Sequence, residues 1–183
     1  MARALDISEQ VETASELAYR AEVYHTTWFA IASRDDRASF AHAFDDHAEI
    51  LMIMQGTAMT SLIVTLHNLF ALRDDTVNLP RISRQMKDLG RDQLSNCAAA
   101  VTKVARLRHN VYAHRSGKLT IPDSFRLAAI SGNDMRFLAN RAMSLCRVFS
   151  HELRLPNPQE PIGAKAVIHN LLAALNRDAS AGR

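Results

Sequence analysis

The chain has 183 residues, 48% hydrophobic and 22% charged, which suffices for one buried core and excludes a disordered tail. With 6 Gly, 5 Pro and 6% aromatic residues, collagen-like and low-complexity architectures are excluded. A loop-dense sandwich or barrel and a base-stacking sheet are disfavoured on the same counts. The formal net charge is only +3, so its distribution matters more than its sum.

Apolar residues recur at spacings of three and four almost throughout, and strand-like alternation is hard to find. Asp6 reads as a cap with Glu9 as its capping-box partner, so a first helix runs from there to about residue 33. Ser33 to Asp36 is a break and a new cap, and a second helix is expected over 36–54. Gln55 and Gly56 are expected to kink or break the chain, with a further helix over 57–72. Residues 50–72 are the most apolar region, but Gln55, Thr57, Thr60, Ser61, Thr65, His67 and Asn68 interrupt it. That reads as a buried helix and not as a bilayer span.

A polar loop over 73–78 follows, and Pro80 opens a short helix that Gly90 stops. The next helix is expected over 92–115, ending at Ser116-Gly117. Residues 118–131 are either extended or one short helical turn. Ser131 and Asp134 read as another capping box, opening a helix to about residue 155. The segment 155–161, LPNPQEP, is the clearest connector; a last helix follows over 162–176, then a frayed tail. The expectation is a single all-α domain over 1–183, with an ordered core of about 6–177. It is a bundle of four to five main helices plus short ones. Cys97 and Cys146 stand far apart with no CxxC, which fits buried thiols in a reducing compartment. No secretory signal is evident at MARALDISEQ, so a soluble, cytoplasmic protein with no membrane partner is expected.

The chemistry concentrates in one helix. Residues 93–122 hold no Asp or Glu, while Lys103, Arg106, Arg108, Arg115 and Lys118 lie among them with His109 and His114. Such a stretch attracts a polyanion. Val101, Val104, Leu107 and Val111 form an apolar stripe whose next position is His114. On a regular helix Arg108 and His114 are about 120° apart, so one helix alone does not aim both at one small target. Either the helix end unwinds, or a second subunit brings its own copy alongside. A histidine that moves protons and an arginine that grips phosphate together suit in-line attack of an RNA 2′-hydroxyl, with no metal. The plainer reading is a helix-end His114 favoured by the helix dipole, with solvated arginines around it.

RHNVYAH, Arg108 to His114, resembles the Arg-x4-6-His signature of the HEPN superfamily. The following Arg115 and the stretch LHNLFALRDDTVNLPRI, residues 66–82, are similar to its abortive-infection branch. The resemblance spans about residues 17–153. It implies a HEPN-like helical bundle and a metal-independent endoribonuclease acting at a homodimer interface, as a toxin or antiphage effector. A nucleotidyltransferase-type antitoxin is an implied partner. In that family's terms Arg108 and His114 are catalytic and His109 and Asn110 support them, while Arg106, Arg115 and Lys118 would draw in RNA. Ser116 stands where one subgroup carries a modifiable Tyr, so that form of control is not implied. The alternative is a non-catalytic helical module that binds a nucleotide, RNA or a protein partner.

Other constellations are weaker. His42, Asp46 and Glu49 fall at i, i+4 and i+7 and suit a metal, but more simply form a solvated face. Glu22-x-x-His25 is half of a di-iron signature with no second half. His67, beside Asn68, reads as a hydrogen-bonded core residue that lines the cleft if its helix packs beside that of Arg108. No phosphate-binding glycine loop or nucleophile elbow occurs, and neither metal nor cofactor is expected.

Overall fold

The computed structural model describes residues 5–110, 126–161 and 163–181. The fold is all-α, with no strand among the described residues. α1 spans Ile7–Ala32. Its Asp6 carboxylate accepts the Glu9 N–H at 2.9 Å and the Glu9 carboxylate accepts the Asp6 N–H at 2.9 Å, the capping box expected there. Val11, Ala14, Ala18 and Ala21 are fully buried along α1. Three of those four are alanines, so neighbouring helices can approach closely.

The break and new cap expected at 33–36 are present, and the chain departs from expectation after them. Ser33 ends α1 and caps α2, Arg34–Ser39, by accepting the Asp36 N–H. α3, Ala41–Asp46, follows a break at Phe40, and α4, Ala48–Phe70, follows a break at His47. No break falls at Gln55–Gly56, which lie inside a continuous α4. Phe40 and Phe44, beside the two breaks that do occur, pack on a small cluster of Ile31, Leu51 and Leu172.

α5, Leu79–Gln85, is capped by Asn78, whose side chain accepts the Arg81 N–H at 2.9 Å. It ends before Leu89 because Lys87 and Asp88 adopt positive φ and the Ser83 hydroxyl donates to the Leu89 carbonyl at 2.7 Å. α6 covers Arg91–Arg108 and α7 covers Gly132–Glu152, the latter opened by the expected Ser131–Asp134 capping box. α8, Ala164–Ala181, runs through the segment expected to fray, and Ala179 is buried there.

The main core joins α1, α4, α5, α6 and α7 around residues such as Leu62, Ile63, Leu66, Leu107, Leu138 and Phe149. α1 packs along both α4 and α7, α6 sits against α4 and α7, and α8 packs on α3 and α1. Cys97 and Cys146 are free and buried in this core; burial pushes their thiols up to about 11 and about 12.

The apolar stretch read as a buried helix is only half so. Leu62, Ile63, Leu66 and Leu69 are fully buried, but Ile50, Met52 and Ile53 are 55%, 63% and 60% exposed. In the first two turns of α4, Leu51 alone is buried, against Leu172 of α8. Among the described residues α4 is the one helix long and apolar enough to cross a membrane. Its second half instead serves as a core helix.

Candidate functional site

The start of α6 is fixed by Gly90. It sits at φ 80°, and a Cβ there would lie 2.6 Å from Leu145 Cδ2 of α7. Only glycine tolerates both the backbone and the approach. From that anchor Cys97, Ala100, Val104 and Leu107 follow one another down the buried face. Arg108, the last residue of α6, is half-buried. His109, exposed, and Asn110, half-buried, continue as a wider π-type turn, a form that often marks functional sites. Val111, Tyr112, His114, Arg115 and Lys118 lie outside the described residues.

The basic side chains of this helix divide between two neighbours. Lys103 Nζ pairs with Asp134 at 3.2 Å, and Arg106 Nη1 donates to the Leu127 carbonyl at 3.4 Å. Both therefore reach toward the α7 side. The Asp134 carboxyl is held below its usual range: its partial burial pushes it up, but Ser131 and Lys103 outweigh that. Lys103 is thus a structural tie between α6 and the cap of α7, its charge already met. Arg108, about 200° round the helix from Arg106, acts electrostatically on His67 of α4. No carboxylate among the described residues pairs with it.

His67 occupies the last turn of α4, beside Asn68. α4 packs on α6, which puts the helix of His67 beside that of Arg108. Its imidazole is held below the ordinary histidine range, first by burial and then by the positive charges of Arg108 and Arg73, with the Asn68 side chain opposing. It is therefore neutral at neutral pH, and its Nδ1 is buried with no hydrogen-bond partner among the described residues. Arg73 itself is held by Asp75 at 2.7 Å. The loop carrying it is pinned by Asn78, which donates to the Arg73 carbonyl at 2.7 Å and to the Thr76 carbonyl at 3.1 Å. A neutral imidazole near a guanidinium that no carboxylate among the described residues holds can accept a proton and hold an anion.

The other constellations do not assemble. The break at His47 removes His42, Asp46 and Glu49 from one continuous helical face. Among the described residues no group of three His, Cys, Asp or Glu is placed to hold a metal. Glu22 faces Arg147 and Glu160, whereas His25 turns into an aromatic cluster, so the two do not converge. Sequence reasoning also missed that cluster, because His25, Trp28 and Phe29 carry no recognisable catalytic spacing.

Comparison with protein families, with curated proteins and with solved structures finds no match to this chain.

Proposed function

We propose that this chain is a metal-independent endoribonuclease of the HEPN type, working as a homodimer and acting as a toxin or antiphage effector. The observation that carries the reading is the half-buried Arg108 beside the neutral His67, with no carboxylate among the described residues to occupy it. A guanidinium so placed is suited to the oxygens of a phosphodiester. On this reading His114, carried over from the motif, moves protons as general acid or base. The RNA 2′-hydroxyl loses its proton and attacks the adjacent phosphorus, the bond to the 5′-oxygen breaks, and that oxygen takes up a proton. The products are a cyclic phosphate end and a free 5′-hydroxyl. Arg108 stabilises the charge on the phosphoryl oxygens as it builds. His109 and Asn110 position the pair, Arg106, Arg115 and Lys118 guide the RNA backbone, and an antitoxin of nucleotidyltransferase type is the regulatory partner.

The test is incubation of the pure protein with RNA in excess EDTA. Cleavage is expected to persist in EDTA and to fall about a hundredfold or more in Arg108→Ala and in His114→Ala. A requirement for divalent metal, or cleavage surviving in both variants, overturns the mechanism. RNA or nucleotide binding without cleavage under any condition favours a non-catalytic module.

A further inference from the structure

On α1, His25, Trp28 and Phe29 fall at i, i+3 and i+4 and so share one face. Their rings touch: His25 meets Trp28 edge-on at 5.8 Å and stacks with Phe29 at 6.0 Å. They form one wall of an open cavity of about 570 Å³ between α1, the first turn of α7 and the start of α8. Gly132, Asn133 and Arg136 of α7 and Lys165 of α8 also line it. None of these residues belongs to the Arg108–His67 pair.

Three features of the cavity point to a ligand. First, Phe29 is 54% exposed at its rim, a large apolar ring that the protein only half covers. Second, two cations line the cavity besides the rings. Arg136 and Lys165 are both exposed there, and in the first turn of α7 the Ser131 hydroxyl already takes the Asp134 N–H at 3.1 Å, which leaves those of Gly132 and Asn133 without a helical partner. Arg136 Nη2 donates to the Asn133 side chain at 3.2 Å, which holds the guanidinium near that turn. The acidic Asp36 also lines the cavity, its Oδ1 3.1 Å from His169 Nε2, so the lining carries two cations and one carboxylate. Third, His25 is only 9% exposed, yet its Nε2 is buried with no hydrogen-bond partner among the described residues. Native proteins rarely leave such an atom unmatched. Burial, reinforced by the Arg136 charge and opposed by the Gly132 backbone, keeps this imidazole neutral at neutral pH. The indole of Trp28 rests on Gly132, where an added Cβ would lie 3.0 Å from the ring, so the glycine makes room for it.

We propose that this cavity binds a small aromatic anion: a flat ring against Trp28 and Phe29, a carboxylate or phosphate at Arg136, Lys165 and the first turn of α7, and a polar ring substituent at His25 Nε2. Trp28 is the single tryptophan of the chain, so its fluorescence reports on this site alone. The full chain is titrated with para-hydroxybenzoate and with AMP, each against its uncharged counterpart, phenol and adenosine. A saturable change with at least one anion, roughly tenfold tighter than its counterpart, is expected. Response to para-hydroxybenzoate alone assigns an aryl carboxylate, to AMP alone a nucleoside phosphate, and to both a site that reads only ring and charge. Arg136→Gln alters an exposed side chain and leaves the fold intact, which circular dichroism verifies; it is expected to raise Kd about tenfold. Gly132→Ala is expected to shift the Trp28 emission and weaken the same ligand. Failure of both anions to saturate, an uncharged counterpart binding as tightly, or unchanged affinity in Arg136→Gln overturns the proposal.

Discussion

His25 and His67 stand on different helices, yet burial is the first cause that lowers each below the ordinary value of 6.5. Arg136 adds to the effect at His25, and Arg108 and Arg73 add to it at His67; the Gly132 backbone and the Asn68 side chain oppose. The consequence for stability has a definite sign. An unfolded chain protonates these rings as pH falls through 6.5, while the folded chain resists until lower pH. Acidification therefore favours the unfolded state. Stability is full above the unfolded value, declines through the interval down to the folded values, and is flat in this contribution below them. Thermal melting between about pH 7.5 and pH 5 is expected to give a falling Tm on the acid side, and His67→Gln is expected to remove part of the slope. A Tm that holds or rises on acidification would show that neither ring is buried as described.

The helices test how far local signals govern the backbone, and two glycines give opposite answers. Gly56 lies in the interior of α4 on its exposed side, and an added Cβ would meet nothing within 4 Å. Gly56→Ala is expected to stabilise the protein by about 0.5–1 kcal/mol, because alanine loses less backbone freedom in a helix. Gly90 combines φ 80° with the 2.6 Å approach to Leu145, so Gly90→Ala is expected to cost about 2–4 kcal/mol. Urea denaturation of the two variants checks both signs at once. The contrast also explains what was legible in the sequence. Asp6 with Glu9 and Ser131 with Asp134 begin their helices where side-chain chemistry alone predicts, because capping is decided within four residues. The breaks at Phe40 and His47 were not legible: neither residue is a breaker, and the cluster that Phe40 and Phe44 join includes Leu172, which is remote in sequence. Gly56 misled because a helix carries a single solvent-facing glycine at a cost of only about 1 kcal/mol. Arg108 was legible as a candidate because a motif and an acid-free stretch single it out. The role of Lys103 as a tie to Asp134 required knowing that α6 lies against α7.

For the molecule as a whole, the apolar interior is divided unequally. The larger cluster joins five helices, whereas Leu172, Ile31 and Leu51 form a separate small one, with Phe40, Phe44, Met54, Ile168 and Leu175 packed against it. α8 reaches the rest of the protein after the connector at 155–161, and besides this cluster it is tied to α3 by the Ala43 N–H, which donates to Asn176 Oδ1 at 3.1 Å. The first turns of α4, where Ile50, Met52 and Ile53 are exposed, adjoin the same cluster. Few buried apolar contacts mean a low cost of local opening, so α3 and α8 should open as a unit below the free energy of global unfolding. Leu172 is 1% exposed at the centre of that unit. Leu172→Ala is expected to lower the opening free energy by about 2–3 kcal/mol, the smaller end for a leucine truncation because the site is near the surface. In hydrogen exchange that appears as amides of α3 and α8 exchanging roughly 30–150 times faster, while those of α6, α7 and the second half of α4 keep their protection. If protection falls equally in every helix, the two clusters unfold together and the division drawn from burial does not govern the dynamics.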